Sequence, residues 1–423
     1  MPATSCGRIS MIALSRLVTC LLLCALGATG FAGCVTKPNP VMATPAKNTV
    51  SFAQRSASFG IDLFKSLCDP VTPENMVLSP FSVTEALAMA LNGAAGETLD
   101  AMNRVLELDG LTLAEMNAAS KELCAILLGA DPTRQLLSAN SVWLRDGYRF
   151  DEAFVDAVKD AFAAEAKTLD FTSPRSVNKV NDWVKGKTKG KIESILDSIG
   201  PNDLAYLVNA IYLKADWSHA FDPNKTSDAR FTTPSSQVTV KMMRRKAEYA
   251  YLSGDGFQSV RIPYGGGSMA MYVFLPDEEA GLSDFVEAMT AADWNRWMES
   301  YDKKTLSLGM PRFTVKYETL MNDALKAMGM DIAFDCDRAD FRGMSSSKDR
   351  NPGIYISKVT HKGFIAVGEK GTEAAAATGV VMGTTSMPLE PELSVVLNRP
   401  FFYAIRDDVT GAVLFMGTVV DPS

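Results

Sequence analysis

The sequence predicts a mixed α+β protein, and three observations support this class. Residues 50–67 place phenylalanine and leucine side chains on one helical stripe, and further helical segments follow before residue 165. After Phe231, short β-branched and apolar runs bounded by glycine and proline predict mostly strands. No regular alternation of strand and helix is present, which argues against a parallel α/β fold.

The predicted helices lie mainly in the first part of the chain. Residues 50–67 are amphipathic, and residues 83–91 follow a capping serine, Ser79 or Ser82, and end at Asn92-Gly93. A short strand precedes this second helix. The other predicted helices span residues 97–106, 113–128 and 150–164.

The predicted strands fall mostly in the second part. Residues 205–213 have the near-continuous apolar character of a central strand. Residues 401–406 and 413–420 predict a hairpin, because the polar segment 407–411 between them contains glycine. The other predicted strands span residues 138–144, 238–243, 249–252, 258–262, 269–275 and 306–310.

The amino terminus reads as a targeting signal. Arg8 and Arg16 precede an apolar run that is short for a membrane span and grades into small residues before Cys34. This ending resembles a bacterial lipoprotein signal, in which the cysteine is lipidated. We therefore expect a signal over residues 1–33, a tether over residues 34–47 and a globular domain over residues 48–423.

Such a protein is exported and lipid-anchored to a bacterial membrane or cell surface through Cys34. The alternative is an ordinary cleaved signal and a secreted protein. Met11 is an alternative start, because the apolar signal is complete without the first ten residues.

Composition excludes several classes of function. The chain is 47% hydrophobic with a net charge of −7, which is ordinary for a globular protein and gives no reason to expect nucleic acid. Outside the leader and Cys34, only Cys68, Cys124 and Cys336 remain, without disulfide, zinc or redox spacing, so we predict buried apolar cysteines.

Catalytic machinery is not recognisable. The two histidines are His219 and His361, and Ser268 lacks the Gly-x-Ser-x-Gly context of a hydrolase nucleophile. No zinc-protease motif, phosphate-binding loop or dinucleotide fingerprint is present. We therefore expect no enzyme, no metal and no cofactor.

Residues 369–388 are the most unusual stretch, a long loop with the alternation of a strand. Alternate residues of a strand face opposite sides. One side would carry Thr372, Ala374, Ala376, Thr378, Val380 and Met382, and the other Glu373, Ala375, Ala377, Gly379 and Val381. The only charge between residues 372 and 382 falls on the second side, so the first side could be buried. No proline interrupts the segment before Pro388, and every backbone N–H remains available for a ladder.

Thirteen short motifs then occur in one family's order. They are Asn75-x-x-x-Ser79-Pro-x-Ser82, Asn181-x-Trp-Val184, Thr188-x-Gly-Lys191, Leu207-Val-Asn-Ala-Ile-Tyr-Leu-Lys214, Trp217 with Phe221-Asp-Pro223, Lys241-Met-Met243, Pro263-Tyr264, Met310-Pro-Arg-Phe313, Ala339-Asp-Phe341, His361-Lys-Gly-Phe364, residues 369–378, Asn398-Arg-Pro-Phe401 and Leu414-Phe-Met-Gly417. From about Phe52 onward the chain resembles a serpin. The resemblance implies an α+β fold of three β-sheets and eight to nine helices, with an exposed reactive-centre loop.

The resemblance also implies a function. Serpins are irreversible suicide-substrate inhibitors of serine endopeptidases, with cysteine endopeptidases as a second target class. The protease is acylated at the loop, which then inserts into the main sheet. In the family the residue before the cleaved bond lies sixteen after the hinge glutamate. This places the bond at Thr385–Ser386, with Met382 and Met387 as alternatives that would favour chymotrypsin-like targets.

Composition of the loop narrows the targets. No lysine or arginine occurs between Lys370 and Arg399, so trypsin-like enzymes should be poor targets and elastase-like or subtilisin-like enzymes better ones.

Three sets of residues correspond to the family's control regions. The hinge comprises Glu369, Gly371, Thr372, Glu373, Ala374, Ala375, Ala376, Ala377 and Thr378. The shutter comprises Asn75, Ser79, Ser82, Asn209 and His361, and the breach comprises Trp217, Arg312 and Glu369. We expect a monomer, and no glycosaminoglycan activation, because residues 113–130 carry only Lys121 as a base.

Two alternatives to inhibition remain open from the sequence. The first is a non-inhibitory serpin that is cleaved as a substrate or serves as a binding scaffold. The second is a surface lipoprotein, an enzyme or a solute-binding protein, that resembles serpins only locally.

Overall fold

Two β-sheets with helices packed around them make up the described part of the chain. The computed structural model describes residues 44–129, 131, 133–200, 203–279, 281–345, 353–373 and 393–423. The predicted leader and Cys34 lie outside these residues. Among the described helices, none combines the length and the apolarity of a membrane span.

Nine α-helices occur in the described ranges. They are α1 (Lys47–Leu67), α2 (Pro80–Leu91), α3 (Gly96–Val105), α4 (Leu113–Leu127), α5 (Glu152–Phe162), α6 (Ser176–Lys187), α7 (Gly281–Ala288), α8 (Ala291–Met298) and α9 (Asn322–Leu325). The five predicted helices are confirmed to within three residues at either end. Ser79 caps α2, since its hydroxyl accepts a hydrogen bond from the Ser82 backbone N–H at 3.2 Å.

The strands number fifteen in the same ranges. They are β1 (Met76–Leu78), β2 (Arg134–Arg145), β3 (Glu165–Leu169), β4 (Ala205–Asp216), β5 (Ser227–Thr232), β6 (Gln237–Ser253), β7 (Phe257–Tyr264), β8 (Met269–Pro276), β9 (Asp302–Pro311), β10 (Phe313–Leu320), β11 (Thr360–Gly368), β12 (Gly371–Thr372), β13 (Ser394–Val396), β14 (Phe401–Asp407) and β15 (Val413–Val419). The predicted C-terminal hairpin is β14–β15, and both strands are almost entirely buried.

The larger sheet has nine strands in the order β1-β15-β14-β8-β7-β6-β9-β13, with β5 paired to β6 outside this path. The prediction of two strands at 238–243 and 249–252 was wrong, since β6 is one strand of 17 residues. Its polar middle, residues 244–248, stays in the ladder because β9 pairs with it throughout. The resemblance implies three sheets. In the described residues, hydrogen bonds join the strands into two.

The smaller sheet has six strands in the order β10-β11-β12-β4-β2-β3. β2 and β4 form a long antiparallel ladder from Arg134 opposite Ala215 to Leu144 opposite Ala205. β10 and β11 form a second one. The two-residue strand β12 stands between these two blocks.

Apolar side chains cover both faces of the smaller sheet. The main core includes α1, α2 and the larger sheet. On the opposite face, α6 packs Val180 and Val184 over Tyr206 and Val208 of β4. Sequence periodicity missed α6, because most of its residues are polar and only a narrow valine stripe faces the sheet.

Candidate functional site

The candidate site is the gap in the smaller sheet between β4 and β11. Within the described residues, no register joins these two strands directly, and only β12 lies between them. Thr372 stands opposite Ala215 on one side and Val367 on the other. Gly371 and Thr372, near the start of the predicted strand-ready segment, thus already occupy one end of the gap.

An aromatic pair fixes the position of this first rung. The Tyr264 and Thr372 hydroxyls are 2.5 Å apart in the interior, and Thr372 is only 2% exposed. The Trp217 ring stacks on Tyr264 with centroids 4.4 Å apart, and the Trp217 Nε1–H donates to the Gly368 carbonyl at 2.9 Å. Burial raises the pKa of Tyr264 far above its ordinary value, so the phenol stays protonated.

Only glycine fits next to this rung. Gly371 has φ of +153°, and a Cβ there would stand 2.0 Å from the Ala215 carbonyl oxygen. A side chain at this position would force β12 away from β4.

The turn between β11 and β12 is held by an ion pair. Arg312 Nε donates to Glu369 Oε1 at 2.7 Å, and the Thr226 hydroxyl donates to the same oxygen at 2.7 Å. Burial by itself raises the pKa of Glu369, but the bonds from Arg312 and Thr226 outweigh it, so the pKa lies below its ordinary value. The structure therefore brings the predicted breach residues Trp217, Arg312 and Glu369 together at one end of the gap.

Glu373 ends the inserted segment. Its φ is +56°, a left-handed conformation, and its backbone N–H donates to the Ala366 carbonyl at 2.5 Å. Lys191 Nζ lies 2.9 Å from its carboxylate and 5.4 Å above the Tyr212 ring. Lys191 belongs to a quoted motif, but the sequence indicated no role for it, because its partner lies 182 residues away.

A polar cluster lies further along the same gap. The Ser82 hydroxyl donates to Asn209 Oδ1, and Asn209 Nδ2 donates to Asn140 Oδ1 at 2.5 Å. Asn140 Nδ2 in turn donates a hydrogen bond to the Phe162 carbonyl oxygen at 2.8 Å. Asn140 was not among the predicted residues, since its position opposite Asn209 follows only from the register of β2 on β4.

His361 stands on the other side of the gap. Its Nε2 lies 3.1 Å from the Val77 carbonyl oxygen, and the side chain is buried. Burial lowers the pKa of His361 to about 4, so the ring is neutral at pH 7 and its Nε2–H donates to Val77. A narrow cleft lined by Ser82, Asn209 and His361 separates β4 from β11 here.

Asn75 makes its hydrogen bonds elsewhere. Its Nδ2 donates to the Asp421 carbonyl at 2.5 Å, and its Oδ1 accepts from the backbone N–H groups of Val420 and Asp421. It therefore fixes the C-terminal segment next to β1. Ser79 acts as the cap of α2, so in the described contacts Ser82, Asn209 and His361 line the gap.

Several predicted residues lie outside the described part of the chain. They are the hinge residues Ala374, Ala375, Ala376, Ala377 and Thr378, the bond Thr385–Ser386, and the alternatives Met382 and Met387.

The prediction of buried apolar cysteines was wrong for Cys336 and only partly right for Cys68 and Cys124. Cys68 and Cys124 are half-buried, whereas Cys336 is exposed. Cys336 lies in a turn between Asp335 and Asp337, so neither adjacent residue provides an apolar side chain to cover it. His219 is exposed.

Comparison with known proteins identifies the relatives. The serpin (serine protease inhibitor) family model matches residues 54–422. A serpin-like protein of Thermococcus kodakarensis is 33% identical over 370 residues, covering 86% of this chain and 84% of its own length. The human leukocyte elastase inhibitor is 32% identical over 377 residues, covering 86% of this chain and 97% of its own.

Solved structures give the same result. The crystal structure of a thermophilic serpin, tengpin, in the native state superposes with a TM-score of 0.79. The two chains are 31% identical, and the match covers 88% of this chain and 94% of tengpin.

Proposed function

Because this chain belongs to the serpin family, whose fold its helices and sheets adopt, we propose that it is an irreversible suicide-substrate inhibitor of serine endopeptidases. The observation that carries the proposal is the gap between β4 and β11, already filled at one end by Gly371 and Thr372. Cleavage of the loop before β13 would free the remaining residues to continue β12.

The chemistry of the first step is an acyl transfer. The catalytic serine oxygen of the protease attacks the Thr385 carbonyl carbon and forms an ester, while the bond to the Ser386 nitrogen breaks and releases a new amino terminus. Insertion of the loop then carries the acylated enzyme along the sheet. The ester is thereby removed from the geometry in which water could hydrolyse it. Cysteine endopeptidases would form the corresponding thioester.

The register of β12 predicts where each inserted residue arrives. Continuing the two observed pairings places Ala374 between Leu213 and Ile365. Four residues further, Thr378 arrives between Asn209 and His361. Small side chains would thus pass the apolar part of the gap, and a hydroxyl would reach the polar cluster. A buried polar group needs a partner in both states, and this match supplies one.

Insertion supplies enough free energy to drive the step. About a dozen inserted residues add ladder bonds worth roughly 0.5–1.5 kcal/mol each. Burial of methyl and methylene groups adds about 0.8 kcal/mol per CH₂. The total is on the order of 10 kcal/mol, comparable to the stability of a whole domain.

The loop composition supports a target class. Thr385, with Thr384 and Gly383 before it, suits the small apolar pockets of elastase-like or subtilisin-like proteases. A leukocyte elastase inhibitor among the relatives agrees with this preference. Met382 and Met387 are the alternative bait residues, and they would suit chymotrypsin-like enzymes.

A protease panel tests the proposal. We expect a complex that survives denaturing gel electrophoresis with elastase-like or subtilisin-like enzymes, and a released peptide that begins at Ser386. The chain nicked within residues 379–387 should unfold at a much higher temperature than the intact chain. Cleavage without any complex would instead identify a non-inhibitory serpin, and an unchanged unfolding temperature would contradict insertion.

We also propose that Cys34 carries a lipid that anchors the inhibitor at a bacterial surface. The small residues before Cys34 and the tether after it support this. The full-length chain expressed in a bacterium should incorporate radiolabelled palmitate and partition with membranes, whereas C34A should do neither. Equal partitioning of both variants would overturn the anchor and favour plain secretion.

A further inference from the structure

Glu373 occupies the point where the inserted segment stops. Thr372 before it is part of the ladder, whereas Glu373 has a left-handed φ of +56° and turns the chain out of strand geometry. A non-glycine residue in this conformation is strained. The ion pair with Lys191, at 2.9 Å, and the bond to Ala366 are the contacts that hold it there.

Lys191 belongs to the segment that connects α6 to β4. Residues 188–200 of this connector contact both sides of the gap. Lys191 lies over Tyr212 of β4, and Asp197 lies 3.3 Å from Lys362 of β11. The hinge is therefore tied by Glu373 to a segment that crosses the path of the incoming strand.

A second lysine, Lys214, lies at the ladder position that follows Thr372. Continuing the register of β12 on β4 places Glu373 directly opposite Lys214, whose side chain is exposed. Opposite charges at directly paired positions of an antiparallel ladder attract each other. The same register places Ala375 beside Tyr212, underneath the present position of Lys191.

We infer that Glu373 is a positioning residue that exchanges Lys191 for Lys214 when the loop inserts. In the intact chain the Lys191 pair stabilises the left-handed turn and delays insertion. In the cleaved chain Glu373 is extended, its strain is released, and Lys214 holds it on the outer face of the sheet. This inference rests on the proposed function, because it assigns a control to the same insertion.

The intact chain tests whether Lys191 holds Glu373 in the left-handed turn. Amide hydrogen exchange at residues 372 and 373 would be compared in the wild type, K191M and K189M. Lys189 is an exposed lysine of the same turn that makes no ion pair within the described residues, so K189M is the matched control. We expect about two- to fivefold faster exchange in K191M only, the scale of a partly exposed ion pair. In an E373Q background, the effect of K191M should vanish.

The nicked chain tests whether Lys214 becomes the partner of Glu373 after insertion. Thermal unfolding would be measured at a fixed urea concentration, since urea adds no ions that screen the pair. We expect K214M to lower the midpoint of the nicked chain by about 1–2 °C relative to wild type, whereas K191M leaves it unchanged. In the intact chain, the amide hydrogens of residues 372 and 373 should exchange in K214M at the wild-type rate.

The outcomes separate this inference from the proposed function. Equal exchange in K191M and K189M overturns the hold by Lys191. A nicked K214M chain as stable as the nicked wild type overturns the transfer to Lys214. A nicked wild-type chain that gains no stability over the intact one overturns the proposed function and the transfer together, whereas the exchange measurement still decides the role of Lys191.

Discussion

Thr372 illustrates how much the proposed insertion would depend on single side chains. Its hydroxyl meets Tyr264 in the interior, and it is the first inward-facing residue of the loop. An arginine there would have to leave its charge in the core or keep the strand out of the gap.

We predict that T372R turns the inhibitor into a substrate. The ratio of stable complex to cleaved chain should fall by more than about tenfold, because a buried unpaired charge costs several kcal/mol. Gel densitometry of reactions with an elastase-like protease measures this ratio. S394R, at an exposed position on β13, should behave as wild type. An unchanged ratio in T372R would show that the hinge does not bury this face.

His361 makes stability depend on acid. Its pKa is about 4 in the folded chain and 6.5 in an unfolded one, so below pH 6.5 the unfolded chain binds a proton that the folded chain does not. The stability contributed by the neutral ring is therefore present above pH 6.5 and lost as pH falls toward 4. Thermal midpoints between pH 7 and pH 4 should fall less in H361Q than in wild type. H219Q removes an exposed histidine and should follow the wild-type curve.

At the scale of elements, the turn between β11 and β12 depends on Arg312. Glu369 is 5% exposed and accepts hydrogen bonds from two other segments, from the charged Arg312 and from the hydroxyl of Thr226. Loss of Arg312 would leave a buried carboxylate with a single side-chain donor.

R312M should therefore lower the free energy of unfolding by about 1–3 kcal/mol, the range for a charged group that loses its partner. Because the turn guides β12 into the gap, the complex yield should fall as well. Urea unfolding and the protease assay measure the two effects. The double variant R312M/E369Q removes the stranded charge and should recover part of the stability; no recovery would contradict this account.

The contact between α2 and α4 contains a buried acid. Glu85 of α2 accepts a hydrogen bond from the Ser120 hydroxyl of α4 at 2.7 Å, and the Cys124 thiol lies 3.5 Å from its other oxygen. Burial raises the pKa of Glu85 to about 8, although both hydrogen bonds oppose the rise. Between pH 4.5 and pH 8 the folded chain keeps a proton that the unfolded chain has released.

The stability that protonated Glu85 contributes is thus complete below pH 4.5 and lost as pH rises toward 8. E85Q keeps the shape without the charge, so its stability should be flatter over this range and exceed that of wild type at pH 8. Urea midpoints at pH 5, 7 and 8 test this expectation. E122Q removes the charge of another carboxylate, on α4, and is the control that should follow the wild-type curve. Parallel curves for E85Q and wild type would contradict the prediction.

At the scale of the whole molecule, the fold keeps a strand position open. Two ladders, β10–β11 and β2–β4, flank a gap that only β12 enters among the described residues. Under the proposed function, the molecule would lower its free energy once its loop is cut, and the loop sequence would select which protease makes the cut.

Exchanging the bait residue should redirect the inhibitor. T385R provides a basic side chain where residues 371–398 have none, so a trypsin-like protease should now form a stable complex and the elastase-like one should lose most of its complex. The same gel assay with both enzymes measures the switch. T385V, which keeps a small apolar bait, should retain the elastase-like target. A T385R chain that trypsin cleaves elsewhere would move the predicted bond.

Local sequence patterns are enough to predict the order of most elements. Helical stripes, capping serines and hairpin signals are local patterns, and they placed α1 to α5 and the hairpin β14–β15. Local patterns failed where neighbours decide the outcome. The polar segment 244–248 remains a strand because β9 pairs with it, and α6 forms with few apolar residues because a sheet lies beneath it.

The candidate site shows the same division. The strand alternation of residues 372–382, the absence of basic residues and the motif series indicated an inserting loop and its bait. Which of these groups meet depends on the packing of distant segments. Asn140 joins Asn209, Asn75 binds the C-terminal segment instead, and Lys191 reaches Glu373. These contacts join residues far apart in the chain through strand register and connector path, which no local pattern specifies.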